Sequence, residues 1–282
     1  MQAKSTHHTS IVTIAVVAVV AVATCVLQVV AGDFPFYFFA FPMNLVVAVL
    51  WLLSLVELYR RREQSCIARF MLSMQATYAS LALAAAGGVA VGVMAEAPTR
   101  TWPFVAMELF VMSHLVMVTL RGWRNSEGVR WRFVLNHAGL LLALGAGFWG
   151  APDVEELRLP LVEGRPSSEA YTIDGRCVTL GYEVTLLDFE VDYFDNGVPS
   201  DFVARVDIAG VEVALRVNAP YRCRLGENIY IVNYEKDLVG RTCCIVQVVQ
   251  DAWSPVMVAG VAMLLAGALL MFLQGVKRRM VR

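Results

Sequence analysis

The fold is decided by residues 242–274, which read TCCIVQVVQDAWSPVMVAGVAMLLAGALLMFLQ. The first part, Thr242–Gln250, is rich in valine and isoleucine and predicts a β-strand. The second part, Trp253–Gln274, is an apolar run as long as the roughly 20 helical residues that cross a bilayer. The chain therefore joins β structure to a membrane-spanning helix at this point.

Five more apolar stretches of spanning length precede it: Ile11–Ala31, Phe39–Leu58, Phe70–Ala95, Trp102–Leu120 and Trp131–Gly150. The third is longer than a bilayer needs, so we expect it to tilt or to protrude. Of the 282 residues, 58% are hydrophobic and only 17% are charged, which is more apolar than a soluble domain. We predict an α-helical membrane protein with six transmembrane helices, five in residues 1–150 and the sixth, with a basic tail, in residues 253–282.

Basic residues lie in alternate loops between these spans. One side collects Lys4, Arg60, Arg61, Arg62, Arg69, Arg121, Arg124, Arg130, Arg132, Lys277, Arg278, Arg279 and Arg282. In the opposite short loops the only basic residue is Arg100. Because cytoplasmic loops carry the excess of lysine and arginine, both termini are predicted to be cytoplasmic, in a bacterial inner membrane. The net charge of −1 argues against a nucleic-acid partner.

Residues 151–252 form the only long hydrophilic segment, and this topology places them outside the cytoplasm. Apolar residues alternate with polar ones in three runs, Val178–Leu186, Phe202–Ile208 and Val211–Val217. Such alternation is typical of half-buried strands. Asn196-Gly197 and Ala209-Gly210 are turn signals between the runs. We predict an extracytoplasmic all-β domain, either a sandwich or an open barrel, that needs no helix.

Four cysteines fall in this outer segment, at Cys177, Cys223, Cys243 and Cys244. An oxidising compartment permits disulfides, and the sequence does not choose between the three complete pairings. As neighbours on a strand, Cys243 and Cys244 are expected to point to opposite faces. The segment has no C-x-x-C motif and no histidine, so neither a thiol-redox motif nor a zinc site is expected there.

Two histidines lie inside predicted spans, His114 in the fourth and His137 in the fifth. Ionisable residues in a span are costly and are candidates for function. Both are equally far along the chain from the centre of the connecting loop, so the helical rise places them at a similar depth, nearer the cytoplasmic face. Two such imidazoles are able to bracket a haem iron. An interhelical hydrogen bond is the alternative, and it is the simpler interpretation of His114.

Other features of the spans leave alternatives open. Glu108 is a further acid inside the fourth span, and both a structural and a proton-linked role are open for it. Small residues after His137 allow a helix or a flat ring to approach closely; they are Ala138, Gly139, Gly145 and Gly147. On the third span, Gly88 and Gly92 are expected to pack against another helix.

Four stretches resemble the ResB (CcsB) family of System II cytochrome c biogenesis. They are Leu180–Phe189, which ends in the family's Leu-x-Asp-Phe pattern; Val217–Pro220 with Leu225–Tyr230, similar to its Val-Asn-x-Pro and Gly-x-x-Ile-Tyr pair; Val248–Trp253; and Asn136-His-Ala-Gly139. Their order, spacing and membrane placement carry the resemblance from about Trp131 onward.

The resemblance implies a function. ResB-type proteins pair with a tryptophan-rich CcsA-type membrane protein, bind haem b transiently without a covalent bond, carry it outward and present it to apocytochrome c. His137 corresponds to the family's intramembrane histidine, which implies ligation of the haem iron. His114 is not carried over from the family, so its assignment as a ligand rests on its depth alone. A thiol-reducing factor is a further expected partner.

The chain departs from the family in its compact outer segment and in its six spans, where simpler members have four. It also lacks the tryptophan-rich haem-presenting segment, so we expect a non-catalytic subunit of a cytochrome c synthase (haem lyase) complex that is incomplete alone. Two alternatives stay open. One is a respiratory membrane anchor that holds b-type haem permanently or is linked to quinone, and the other is a haem-free envelope scaffold.

Overall fold

The computed structural model describes residues 19–94, 98–123, 130–196, 199–236 and 242–280. The chain divides into two compact units, one comprising Met1–Pro152 with Val256–Arg282 and the other Asp153–Pro255. In the described residues the first unit is helical, and the second is an antiparallel sheet followed by the first residues of the last helix. This agrees with the predicted combination of apolar helices and an all-β segment.

The helices of the first unit follow the apolar stretches. They are α1 (Val19–Ala31), α2 (Met43–Arg60), α3 (Cys66–Met71), α4 (Met74–Val93), α5 (Trp102–Trp123), α6 (Trp131–Gly150) and α7 (Ser254–Met280). Five of them, α2, α4, α5, α6 and α7, are long and apolar enough to cross a membrane. The described part of the predicted first span is a shorter apolar helix, and residues 11–18 lie outside the described residues. The structure therefore has five candidate spans, and the sixth stays a prediction.

The predicted third span, Phe70–Ala95, is divided in the structure rather than continuous. α3 ends at Met71, and α4 begins after Ser73, whose side chain accepts a hydrogen bond from the backbone N–H of Ala76. Serine favours this N-cap position because its oxygen replaces a missing helical acceptor. A local capping preference thus interrupts an apolar run that composition alone reads as one helix.

The second unit contains one eight-stranded antiparallel sheet with the spatial order β5-β4-β3-β2-β1-β8-β7-β6. The strands are β1 (Val154–Val162), β2 (Pro166–Tyr171), β3 (Cys177–Tyr193), β4 (Pro199–Ile208), β5 (Val211–Arg216), β6 (Tyr221–Arg224), β7 (Glu227–Lys236) and β8 (Thr242–Asp251). The predicted turn Ala209-Gly210 connects β4 and β5, with φ of 52° and 85°. Two successive positive φ values are typical of a tight hairpin. The other predicted turn contains Gly197, which lies outside the described residues.

The long strand β3 folds the sheet over on itself. Its first half pairs with β2 and its second half with β4, and the register shifts between Leu186 and Asp188. A bulge of this kind bends a strand and increases its twist. β5 consequently lies near β7, and alternate side chains from both halves form a single core. The predicted all-β segment is thus one antiparallel sheet in the described residues.

The cysteines of the second unit are free thiols. Cys244 is buried in the core, whereas its neighbour Cys243 is only half-buried. This difference follows from the alternation of side chains along β8.

Candidate functional site

His114 is buried in α5 and is bonded to a neighbouring helix. Its side chain is 4% exposed, and its Nδ1 lies 2.8 Å from the carbonyl oxygen of Met71. Because a carbonyl oxygen only accepts, Nδ1 carries the proton and donates it. In the neutral imidazole this leaves the lone pair on Nε2.

The break between α3 and α4 explains why this carbonyl is available. The last carbonyls of a helix have no partner within it. His114 donates to Met71 at the end of α3, and Arg121 donates through Nη1 to the carbonyl of Leu72 at 2.9 Å. Two side chains of α5 thus satisfy the break. His114 thus makes an interhelical hydrogen bond, as its simpler interpretation predicted. The bond occupies Nδ1 and leaves Nε2 without a hydrogen-bond partner among the described residues.

His137 lies on α6 and is held by a residue one turn earlier. Its Nδ1 donates to the carbonyl oxygen of Phe133 at 2.8 Å. Its ring also stacks on the Phe133 ring, with centroids 3.9 Å apart and planes inclined by 25°. The side chain is only half-buried. Here too Nδ1 is the donor, and Nε2 is the nitrogen with a lone pair to offer.

The two histidines lie on neighbouring helices, since α5 and α6 pack against each other. Each has its Nδ1 bonded to a backbone carbonyl. An imidazole that donates Nδ1–H to a backbone carbonyl has its tautomer set and presents Nε2 as a ligand. The described residues contain no group of three His, Cys, Asp or Glu that would hold a bare metal ion.

The residues beside His137 serve the contact between α6 and α7. A Cβ on Gly139 would lie 2.7 Å from the carbonyl oxygen of Gly260, and one on Gly267 would lie 2.8 Å from the Asn136 amide. Asn136 also donates to the carbonyl of Arg132 at 2.8 Å. Two members of the Asn-His-Ala-Gly stretch, its first and last residues, thus pack α7 against α6.

The other glycines that the sequence singled out in the spans, Gly145, Gly147, Gly88 and Gly92, are not used in this way. Gly145 meets only a Trp149 side-chain atom at 3.8 Å, and positions around Gly147 are open. Gly88 and Gly92 likewise have no atom of the described chain within 4 Å of an added Cβ. Their expected contact with another helix is therefore not made by the described residues.

Glu108 is half-buried on α5. It forms no hydrogen bond or ion pair with any residue that the structure describes. A structural role as a bonded side chain is therefore not seen for it.

A small apolar cleft lies at the other end of the helices, away from the histidines. Phe34, Phe36, Phe148 and Trp149 are among the residues that line it, and its volume is about 140 Å³. Pockets for small molecules are usually about 300–1,000 Å³. The cleft is too small for haem and is not the site that the histidines serve.

The second unit contains a buried polar cluster that sequence reasoning missed. Glu227 is 1% exposed and accepts hydrogen bonds from the Tyr182 hydroxyl (2.9 Å), Arg224 Nη2 (2.8 Å) and Gln250 Nε2 (2.7 Å). Burial and then Glu227 raise the pKa of Tyr182, and the same two causes raise the pKa of the nearby Cys223 thiol. Glu227 is the first x of the Gly-x-x-Ile-Tyr motif, but nothing in the sequence indicated that it is buried.

The same hairpin meets the strand that leads into α7. Gly226 has a φ of 85°, and a Cβ on it would lie 2.5 Å from the carbonyl oxygen of Asp251. Asp251 in turn accepts from the backbone N–H groups of Trp253 and Ser254 at 2.9 and 3.1 Å. Only glycine fits this turn, and the aspartate caps the start of α7.

Comparison with known proteins identifies a family match. Among protein-family models, the ResB-like family matches residues 128–246. No curated protein matches the chain. The matched range includes α6 with His137 and most of the sheet, whereas His114 lies before it. Residues 128–246 of this chain are therefore ResB-like, which confirms the family that its sequence motifs predicted.

Proposed function

We propose that this chain is a membrane subunit of cytochrome c biogenesis that binds haem at α5 and α6. With a tryptophan-rich CcsA-type partner, it would help to carry haem outward and to present it to apocytochrome c. The ResB-like match supports the role in cytochrome c biogenesis. Haem b is the cargo in this proposal, held transiently and without a covalent bond.

The observation that carries the proposal is the state of His137. Its Nδ1 is committed to the Phe133 carbonyl and its side chain is half-buried. Nε2 is therefore available to a ligand that approaches α6. When haem is bound, its iron would take this nitrogen as an axial ligand.

His114 is proposed as the second ligand, but it is less accessible. Its Nε2 is also the free nitrogen, yet the side chain is 4% exposed and tied to α3. Haem would reach it only if the elements packed around His114 moved. This favours transient binding of a cargo over the alternative of a permanent b-type haem in a respiratory anchor.

Basic side chains surround the loop between α5 and α6, and they include Arg121, Arg130 and Arg132. Guanidinium groups pair well with carboxylates such as the propionates of haem. We propose that this end faces the cytoplasm in the bacterial inner membrane and that haem enters here. The sheet would then lie outside the cytoplasm.

The proposed role of the outer domain is to dock the CcsA-type partner or apocytochrome c. Its described part has no group of residues that would hold a metal ion. Burial raises the pKa of Cys244 to about 12, and the pKa of Cys223 is raised as well. Thiols that stay protonated are poor nucleophiles. A thiol-reducing factor would therefore act on the client rather than through these two cysteines.

The test is the absorption spectrum of the purified full chain, with and without a co-expressed CcsA-type partner. We expect a Soret band in the co-expressed sample and its loss in His137→Ala. The matched control is His7→Ala with His8→Ala, which removes the same side chains from the N-terminal tail and should leave the band unchanged.

Three results would contradict the proposal. No Soret band in any sample would remove haem binding. A stable, redox-active haem in the isolated chain would favour the respiratory anchor. Unchanged maturation of cytochrome c in His137→Ala would favour the haem-free scaffold.

A further inference from the structure

Three residues near the α5–α6 loop form one continuous contact. Gly122 is buried near the end of α5, and a Cβ built on it would overlap the ring of Phe133 on α6. The same ring stacks on the imidazole of His137. Gly122, Phe133 and His137 are thus layered across the two helices.

Gly122 provides the space for this arrangement. The atoms that an added Cβ would meet are ring carbons of Phe133 and not the end of a flexible side chain. A phenyl ring is rigid and cannot bend away, so it would have to move as a whole. The absence of a side chain at residue 122 therefore sets where the Phe133 ring lies.

Phe133 in turn holds the imidazole through two independent contacts. Its carbonyl oxygen accepts the Nδ1–H of His137 at 2.8 Å, and its ring lies 3.9 Å from the imidazole centroid. The hydrogen bond sets which nitrogen carries the proton, and the stack sets the plane of the ring. Together they define the direction in which Nε2 points.

The backbone that carries His137 is fixed on its other side. Gly139 and Gly260 bring α6 and α7 so close that a Cβ on either would lie 2.7 Å from backbone atoms of the other helix. Close packing of this kind resists rotation of a helix about its axis. The direction of Nε2 is consequently fixed relative to the packed helices as well as by the contacts of the His137 side chain.

We propose that Phe133 is a positioning residue that orients the Nε2 of His137 before haem arrives, in the space that Gly122 leaves for its ring. The proposal deepens the proposed function and rests on it for the identity of the ligand. The orientation itself is a property of the haem-free chain and is tested without haem.

The first measurement is nitrogen-15 NMR of the full chain in lipid nanodiscs, with only histidine labelled and no haem present. The chain has four histidines, so His137→Ala identifies the signals of His137. In the native chain we expect a single tautomer with the proton on Nδ1, and imidazole protons shifted upfield by the stacked ring. Phe133→Leu should abolish the upfield shift, and Phe133→Tyr should retain it because the ring remains.

Gly122 is tested with a pair of variants. Gly122→Ala should displace the ring and reduce the upfield shift although Phe133 is present. In the double variant Gly122→Ala with Phe133→Leu, the added methyl group no longer overlaps a phenyl ring, but no ring stacks on His137. This variant should therefore be well folded and still lack the upfield shift. If Phe133→Leu or Gly122→Ala leaves the His137 signals of the native chain unchanged, the proposal is wrong.

The second measurement is a titration of the same variants with haem b. Loss of a residue that orients a metal ligand typically lowers affinity by about 10–100-fold. We expect a Kd raised by about 10-fold in Phe133→Leu and a native Kd in Phe133→Tyr. Equal Kd values in native and Phe133→Leu chains would overturn the positioning role. No binding to the native chain, either alone or co-expressed with the CcsA-type partner, would instead refute the proposed function, and the NMR result would still decide the orientation.

Discussion

Removing the Glu227 carboxylate should open the sheet locally, and the size of the effect depends on which residue replaces it. The carboxylate is 1% exposed and accepts three hydrogen bonds. In Glu227→Ala these donors lose their acceptor. Tyr182 and Gln250 are both part-buried and cannot turn fully to water. Each buried donor left without a partner costs about 1–3 kcal/mol, so we expect a loss of about 3–5 kcal/mol.

Glu227→Gln should be much milder because of how the three bonds are shared. One carboxylate oxygen accepts from Tyr182, and the other accepts from both Arg224 and Gln250. The amide oxygen of glutamine can take the second position. Its NH2 group then faces the Tyr182 hydroxyl, which can rotate to accept. Only the assistance of the charge is lost, which amounts to about 1–2 kcal/mol.

Hydrogen–deuterium exchange of the full chain measures this difference in place. A loss of 3 kcal/mol in the free energy of opening corresponds to amide exchange about 100-fold faster. We expect this for the backbone of β6, β7 and β8 in Glu227→Ala, and about 10-fold in Glu227→Gln. Exchange in α5 and α6 serves as the internal control. If Glu227→Ala exchanges no faster than Glu227→Gln, the hydrogen bonds do not stabilise the hairpin as argued.

Three further predictions concern the same unit. Cys244, which is buried and whose pKa is raised to about 12, should react with a water-soluble maleimide far more slowly than the exposed Cys177; similar rates at pH 7 would contradict its burial. Because the folded-state pKa of Cys244 lies above its usual value near 9, its contribution to stability should be complete below about pH 9 and should fall as the pH rises toward 12. Gly226→Ala should destabilise the β6–β7 turn by about 1–3 kcal/mol, because the residue has a positive φ and its Cβ would press on the Asp251 carbonyl. The measurement is faster amide exchange in β7, and the control is Gly181→Ala on β3, which has open space around it. Equal exchange in the two variants would show that the close approach is tolerated.

Helices and strands with a regular hydrophobic pattern were predictable, because the pattern lies within one continuous stretch of the sequence. The fifth apolar run, Trp131–Gly150, is α6 with the same bounds. The alternating runs from Val178 and Phe202 are parts of β3 and β4. In these segments the length of an apolar run or the alternation of apolar residues decides the element, so no knowledge of other segments is needed.

The break in the third apolar run was not predicted, because a local signal competed with a strong regional one. Ser73 has the side chain that starts a new helix, but it stands between apolar residues that favour continuation. The break is also stabilised from elsewhere. His114 and Arg121 satisfy the carbonyls that it frees, and both are more than 40 residues away along the chain.

By itself, the sequence determined the apolar helices, the β-strands and the family resemblance. The length of an apolar run, the alternation along a strand and the motif around His137 can each be recognised within one short stretch of chain. Only the tertiary structure decided what the chemical groups do there. It placed His114 against α3, stacked Phe133 on His137 over Gly122, and buried Glu227 among donors from three strands. The reason is that the direction of a ring nitrogen, or the partner of a carboxylate, depends on side chains that meet only when distant segments pack together.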